Sequence, residues 1–441
     1  MLYSKDVPLK HSVDVFIAGG GPAGIAAAIA CARLGRRVFL AESFSAFGGA
    51  AVTMLVPAFM PFGDGVHFLA GGIGREVYDR LCAETPARFA DYCPNSIPVE
   101  PLKRIYDDMM RQSGASFSFY TTVVDAVVAD GRIEYVLCAA KSELFAVKAR
   151  IYIDCTGDGE LSFFAGAKSE YGDENGCTMA ATLCALWSGI DWSGVHGADR
   201  EKLEDAFRDG VFTNQDRHLP GMWRIMAQTG DGVPDGVGGS NAGHVYGVDP
   251  RSADSLTKGT LRGREQLVEY RRYYQTYLSG YVQAEPIFSA PYLGIREGRR
   301  IVCDYRLVLD DFLRRAVFED EIGRYAYHID IHSATNDAAG YEKYLTEHKG
   351  YRLQKGESYG IPYRSLTAAG LRNLLVAGRC ICTDRYLQSS VRVMPGCFIT
   401  GQAAGVAAAE SCAHGDVHRV EVRAVQKKLL EMGAYLPNFT A

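Results

Sequence analysis

Long hydrophobic runs are missing from this chain. No stretch approaches the ~18 apolar residues that a membrane-spanning helix needs, which argues against a membrane protein. A surplus of positive charge is missing as well. Lys and Arg number 47 against 52 Asp and Glu, for a net charge of −5. That balance lacks the basic footprint of a nucleic-acid binder. Residues 1–11 have no apolar core of the signal-peptide kind. Twelve cysteines are present, but none stands in a C-x-x-C pair or at iron–sulfur spacing. Most have apolar neighbours (Cys31, Cys155, Cys184, Cys303), as expected of reduced thiols in a cytoplasmic protein. Cys380-Ile381-Cys382 has a one-residue gap, a poor geometry for a disulfide. Internal repeats and low-complexity tracts are absent.

What is present is a globular composition, 47% hydrophobic and 22% charged, over 441 residues. At ~150 residues per domain this allows two to three domains. The densest signal lies near the start. Val13-Asp14-Val15-Phe16-Ile17-Ala18 reads as a buried strand and runs straight into Gly19-x-Gly21-x-x-Gly24. An Ala-rich stretch, 25–34, has helical character, and Val38-Phe39-Leu40-Ala41 is a second buried strand ending at Glu42. Strand, glycines, helix, strand and acid form a dinucleotide-binding βαβ unit. Gly19 permits the tight turn, Gly21 admits a pyrophosphate, and Gly24 lets helix and strand pack closely. The helix N-terminus offers unpaired N–H groups to phosphate, and Glu42 can accept from a ribose diol.

Further along, Phe47-Gly48-Gly49 is a small-residue loop. Helices are expected over 75–82, 101–113, 256–278 and 396–409. Strands are expected over 117–128 and 132–138 around Asp130-Gly131, and over 147–154, 324–331 and 371–377. Residues 230–236 read as a turn-rich loop. Tyr270, Tyr273, Tyr274, Tyr277 and Tyr281 recur at near-helical spacing and read as a packing face. Strand–glycine signals recur near the start, in the middle (155–159) and at the end (Gly378, Gly401). The expected fold is therefore α/β: a Rossmann-like nucleotide domain with a parallel sheet, built from 1–165 and 359–441, with an α+β substrate domain, 166–358, inserted.

These blocks resemble the FAD-dependent oxidoreductase family, within the glutathione-reductase-like two-domain flavoproteins. The resemblance rests on the fingerprint, on Asp154-Cys155-Thr156-Gly157-Asp158-Gly159, and on Gly294-Ile295-Arg296-Glu297-Gly298-Arg299-Arg300. Tyr359-Gly360-Ile361-Pro362, the segment 373–379 and the segment 390–405 add to it. The chain departs from the family pattern at Gly298, where Ser is usual. The resemblance implies FAD, held non-covalently, as the cofactor. It implies contacts from Gly19, Gly21, Pro22, Ala23, Gly24, Glu42, Ser43, Gly48, Gly49, Val123, Thr156, Gly157, Asp158, Gly378, Arg379, Gly396, Gly401 and Gln402. In that scheme Glu42 takes the adenosine ribose, Val123 lies at the adenine, and the N-terminus of the last helix points at the flavin's pyrimidine end.

The flavin carries the hydride, so the protein must supply orientation, charge and proton transfer. His328, Asp330 and His332 are spaced by two, which on a strand places them on one face. That face is acid/base machinery, a set of metal ligands, or a solvated surface; no metal is expected. His332 is the leading candidate for proton transfer because histidine titrates near neutrality. Arg296, Arg299 and Arg300 either clamp a carboxylate or carbonyl of the substrate, or pair with Glu297 and Asp304 in the fold. The catalytic set expected is His332, Arg296, Arg300 and His328, with Asn241, His244 and Arg392 as weaker candidates. Two readings stand. One is an FAD-dependent oxidoreductase acting on a small organic molecule, carboxylated or polyhydroxylated, with an unidentified electron partner. The other is an FAD-binding electron-transfer or assembly subunit without turnover of its own. Neither needs nucleic acid or membrane, and both are compatible with an oligomer.

Overall fold

The structure, a computed structural model, describes residues 4–84, 96–197, 199–225 and 236–439. Most of the expected turn-rich loop at 230–236 lies outside the described residues.

The first buried run becomes β1 (Leu9–Ala18), followed by α1 (Pro22–Arg33) and β2 (Val38–Ala41). Next in the same sheet come β3 (Ser116–Ser118), β4 (Thr121–Ala129), β5 (Arg132–Ala140) and β6 (Glu143–Asp154). Neighbours run β3-β2-β1-β6-β5-β4, and a late strand, Leu374–Val376, also pairs with β6. β3, β2, β1, β6 and Leu374–Val376 are mutually parallel, while β4 and β5 form an antiparallel hairpin. Asp130 and Gly131 both carry positive φ at its turn, as a tight two-residue connection requires.

Register decides what this sheet can hold. Ala18 pairs with Asp154, and Asp154 pairs with Val376. Three parallel strands from distant parts of the chain thus end at one level. The glycine turn after β1, the 155–159 loop and Ala377-Gly378 leave the sheet side by side. In an open parallel sheet, ligands lie beyond the carboxyl ends of the strands.

Behind the sheet, α1 packs on the helix Met394–Ser411. A Cβ on Gly401 would lie 2.1 Å from the Ala23 carbonyl oxygen, and one on Gly405 2.3 Å from that of Ala27. The small residues are there to bring two helix backbones together.

A second apolar core lies apart from this one. It gathers Leu183, Trp187, Leu203 and Leu293 with the tyrosines of the helix Ala253–Tyr277. Tyr270, Tyr273, Tyr274 and Tyr281 are buried, so the tyrosine face is a packing face. The second core's buried side chains extend to Ile295; those from Ile301 to Ile331 join the larger core. An antiparallel sheet in the order Glu285–Ser289, Ala185–Ser188, Gly238–Ser240, Met222–Arg224 belongs to this region. Among the described residues no helix is long and apolar enough to cross a membrane.

The strand expected over 324–331 is shorter and earlier, Glu321–Tyr325. Residues 326–332 are irregular, so His328, Asp330 and His332 do not share a strand face. Their alternating burial comes from an irregular segment pressed into the interior. The strand expected over 371–377 is Leu374–Val376.

Candidate active site

One cavity of about 610 Å³ opens at the carboxyl ends of the parallel strands and reaches into the second region. At its sheet end lie Gly19, Gly21, Pro22 and Ala23. A Cβ on Gly21 would meet nothing nearer than Gly49 Cα at 3.9 Å. The space beside Gly21 is therefore open, as a dinucleotide's pyrophosphate requires. Gly21 is the N-cap of α1 and no side chain caps it. The first backbone bond of the helix is Ile25 N–H to Gly21 C=O. The N–H groups of Ala23 and Gly24 are left at a helix N-terminus without an intrahelical partner, a ready site for phosphate.

Glu42 is buried at the end of β2. Its carboxylate accepts from the N–H of Gly20 at 2.6 Å and of Phe44 at 2.8 Å. Burial raises its pKa against the lowering effect of these bonds. Ser43, Thr121, Thr122 and Val123 continue the same wall. In the middle of the cavity Asp158 meets Arg379 through two contacts, 2.6 and 3.0 Å. A Cβ on residue 298 would lie 2.1 Å from Asp158 Oδ1. Glycine at that position leaves room for this ion pair. Glu160, beside Asp158, has its pKa pushed up to about 7 by burial and by that neighbour's charge.

The far end is polar. His244 Nε2 and His332 Nδ1 are 2.9 Å apart. Asp216 Oδ2 lies 3.1 Å from His244 Nδ1, close enough for charge contact though not aligned as a hydrogen bond. Asp330 Oδ1 lies 3.4 Å from His332 Nε2 and Asp330 Oδ2 lies 3.4 Å from Arg392. His218 Nδ1 contacts the Tyr344 hydroxyl at 3.1 Å, and its ring lies 5.6 Å from that of His244. Burial, with the positive charge of Arg296 nearby, holds the His332 pKa well below the ordinary histidine value. Burial and the neighbouring His244 bring His218 down to about 4. Burial alone would raise the pKa of both carboxylates. The facing imidazoles overcome it, so Asp216 and Asp330 are held below the carboxylate range. Arg296 donates from Nη1 to the Ala180 carbonyl and Thr182 Oγ1, and from Nη2 to Asn241 Oδ1.

Residues 14–429, nearly the whole chain, match the FAD dependent oxidoreductase family. The chain belongs to that family. FAD is accordingly its cofactor. No curated protein matches the chain. Among solved structures it is similar to a geranylgeranyl bacteriochlorophyll reductase-like protein from Thermoplasma acidophilum: 12% identity, 96% of this chain and 87% of that one covered, TM-score 0.44. The flavin-dependent brominase Bmp2 gives 13%, 92% and 81%, and 0.46. The p-nitrophenol 4-monooxygenase PnpA from Pseudomonas putida gives 13%, 96% and 87%, and 0.45. At such values these likenesses say nothing about substrate or reaction.

Within this FAD-dependent oxidoreductase, many of the residues expected to hold the cofactor line the cavity. They are Gly19, Gly21, Pro22, Ala23, Glu42, Ser43, Gly49, Val123, Thr156, Gly157, Asp158, Gly378 and Arg379. Five do not. Gly24 is held against the Gly19 carbonyl, 1.8 Å from any added Cβ, and Gly48 makes a left-handed turn over Val52 and Tyr106. Gly396 is crowded by the Val391 carbonyl and Gly401 by Ala23. Gln402 Oε1 accepts from Ile73 N–H and fastens the helix Ile73–Glu84. The N-cap and first turn of the helix Met394–Ser411, with Val393, Met394 and Cys397, line the cavity instead.

Of the catalytic candidates, His332, His328 and Arg296 line the cavity and Arg300 does not. Arg300 Nη1 pairs with Glu297 Oε1 at 2.7 Å and Nη2 donates to the Gly172 carbonyl. Glu297 is fully buried and also holds Arg385. Asp304 pairs with His418 and Thr367, away from the arginines. Asn241, His244 and Arg392 are at the site. Asp216, His218, Tyr327 and Tyr344 join them without having been anticipated. Asp216-x-His218 was the one local signal, a carboxylate and an imidazole two residues apart, without periodicity around it.

Proposed function

We propose that this flavoenzyme moves a hydride between a small organic substrate, carboxylated or polyhydroxylated, and FAD, with the accompanying proton handled by the histidine cluster. The single observation that carries the reading is continuity. One cavity joins the uncapped α1 N-terminus to the cluster of Asp216, His218, His244, Asp330 and His332. When bound, FAD supplies the hydride chemistry through its flavin ring.

The chain's own groups do the rest. Ala23 N–H, at the uncapped start of α1, and Glu42 bind the dinucleotide. Asp158 and Arg379 neutralise one another at the middle of the cavity. His218 exchanges the proton: Nδ1 is held by Tyr344, while Nε2 has no hydrogen-bond partner among the described residues. Held neutral by burial, it can take a proton from an O–H or N–H next to the reacting carbon. Both nitrogens of His332 are engaged, so it positions and charges the cluster without touching substrate itself.

An anaerobic screen of metabolite pools against the purified flavoprotein tests the reading. Bleaching of the flavin by a pool, tracked to one small molecule, supports it. Reduction by protein electron donors alone, with no pool active in either direction, favours an electron-transfer subunit.

A further inference from the structure

Arg296 is 8% exposed and lines the cavity. Its three acceptors, the Ala180 carbonyl, the Thr182 hydroxyl and the Asn241 side-chain oxygen, are all neutral. Arg300 and Arg324 are also buried and Arg379 is partly buried, and each meets a carboxylate at 2.6–2.7 Å. Arg299 lies over the Phe163 ring, outside the cavity. Asp216 and Asp330 act on Arg296 only through space and are engaged elsewhere, with His244, and with His332 and Arg392. Burial presses the Arg296 pKa down, but a guanidinium stays charged in proteins. A buried charge without a counter-charge is costly, and the usual remedy is a partner of opposite sign.

The donor count shows where that partner goes. A guanidinium has five N–H groups. Two on Nη1 are used by Ala180 and Thr182, and one on Nη2 by Asn241. Nε–H and one Nη2–H remain. These two nitrogens form one edge of the guanidinium plane, the edge that takes a carboxylate in a fork.

We infer that the enzyme's substrate is an organic acid whose carboxylate is bound by Arg296. The inference rests on the reading of this cavity as the substrate site and narrows it. A single guanidinium edge flanked by neutral acceptors matches one negative charge of planar shape. Among the described residues no lysine lines the cavity, and Arg392 is already neutralised by Asp330.

The test uses the FAD-loaded protein and named probes: acetate, lactate, benzoate and phenylacetate, each against its amide, at constant ionic strength and chloride. Flavin absorbance and the thermal melt are both followed. At least one acid is expected to saturate both signals while its amide does not. Arg296→Gln should weaken that binding about 10- to 100-fold with flavin content unchanged, and Arg296→Lys, which keeps the charge but not the fork, by less. If no acid outperforms its amide in the wild type, the inference is overturned. It is equally overturned if Arg296→Gln binds the acid as well as the wild type does, or changes only the flavin's midpoint potential. Protein that takes up no FAD would sink the cofactor assignment instead, and its melt would still report whether the acids bind.

Discussion

His244 and His332 meet nearly at right angles, Nε2 to Nδ1, at 2.9 Å, and the outer nitrogen of each lies beside a carboxylate. Only the central contact has hydrogen-bond geometry, and it takes one proton between the two rings. In the row Asp216–His244–His332–Asp330 the outer contacts are charge contacts at 3.1 and 3.4 Å, so each imidazole has both nitrogens turned to protein groups and neither ring keeps one for a ligand. His218, just beside it, does keep one.

This predicts a division of labour that rate measurements can read. With a donor from the screen, His218→Gln should slow flavin reduction in stopped-flow absorbance by ~10²–10⁴-fold, the usual value of a positioned acid/base group. His332→Gln should slow it less and mainly change its pH profile. A large loss in His332→Gln beside normal rates in His218→Gln would return the proton transfer to His332.

The same histidines predict how stability depends on pH. His218 has a folded pKa of about 4 against an ordinary 6.5, and His332 is also lowered. Above pH 6.5 both are neutral folded or unfolded, and nothing is lost. As pH falls from 6.5 towards 4, the unfolded chain binds protons that the folded one refuses, and stability drops. His218 alone contributes up to about 3 kcal/mol to that drop. Urea melts from pH 7.5 to 4.5 should show the loss, with a shallower slope in His218→Gln. An unchanged slope would mean His218 is charged in the fold.

Cofactor contacts make a third set. Gly21→Val should abolish FAD uptake, since its side chain would fill the open space beside α1. Glu42→Ala should weaken uptake by ~1–3 kcal/mol, the scale of a charge-assisted hydrogen bond. Gly298→Ser should lower both flavin content and melting temperature by colliding with Asp158. Titration of apoprotein with FAD measures all three. FAD should also leave the wild type on acid precipitation, as a non-covalent ligand does; flavin in the pellet would contradict that.

The βαβ unit was legible because its signals are local: glycine spacing, a buried run and an acid within thirty residues. The late glycines were not, because one composition serves two purposes. Gly401 faces Ala23 and Gly405 faces Ala27 across a helix–helix contact, yet small residues also let a cofactor approach. The spacing of His328, Asp330 and His332 mimicked a strand because an irregular buried segment alternates too. Asp216 and His218 lie more than a hundred residues before Asp330 and His332, on segments without a period. Only the tertiary fold brings them together.

Arg300 and Arg296 should separate in a melt. Arg300→Ala removes one partner of fully buried Glu297 and should cost about 3 kcal/mol of stability. Arg296→Gln removes an uncompensated charge, so its melting temperature should hold or rise. A collapse of Arg296→Gln with an unaffected Arg300→Ala would reverse the two roles.

A crystal structure of the FAD-loaded protein would show where the cofactor lies in the cavity. The pyrophosphate is expected on the Ala23 N–H at the start of α1, the adenosine ribose on Glu42, and the flavin ring at the end lined by Met394, Arg296 and His218. FAD bound elsewhere, or a flavin ring lying at the Glu42 end, would contradict that placement.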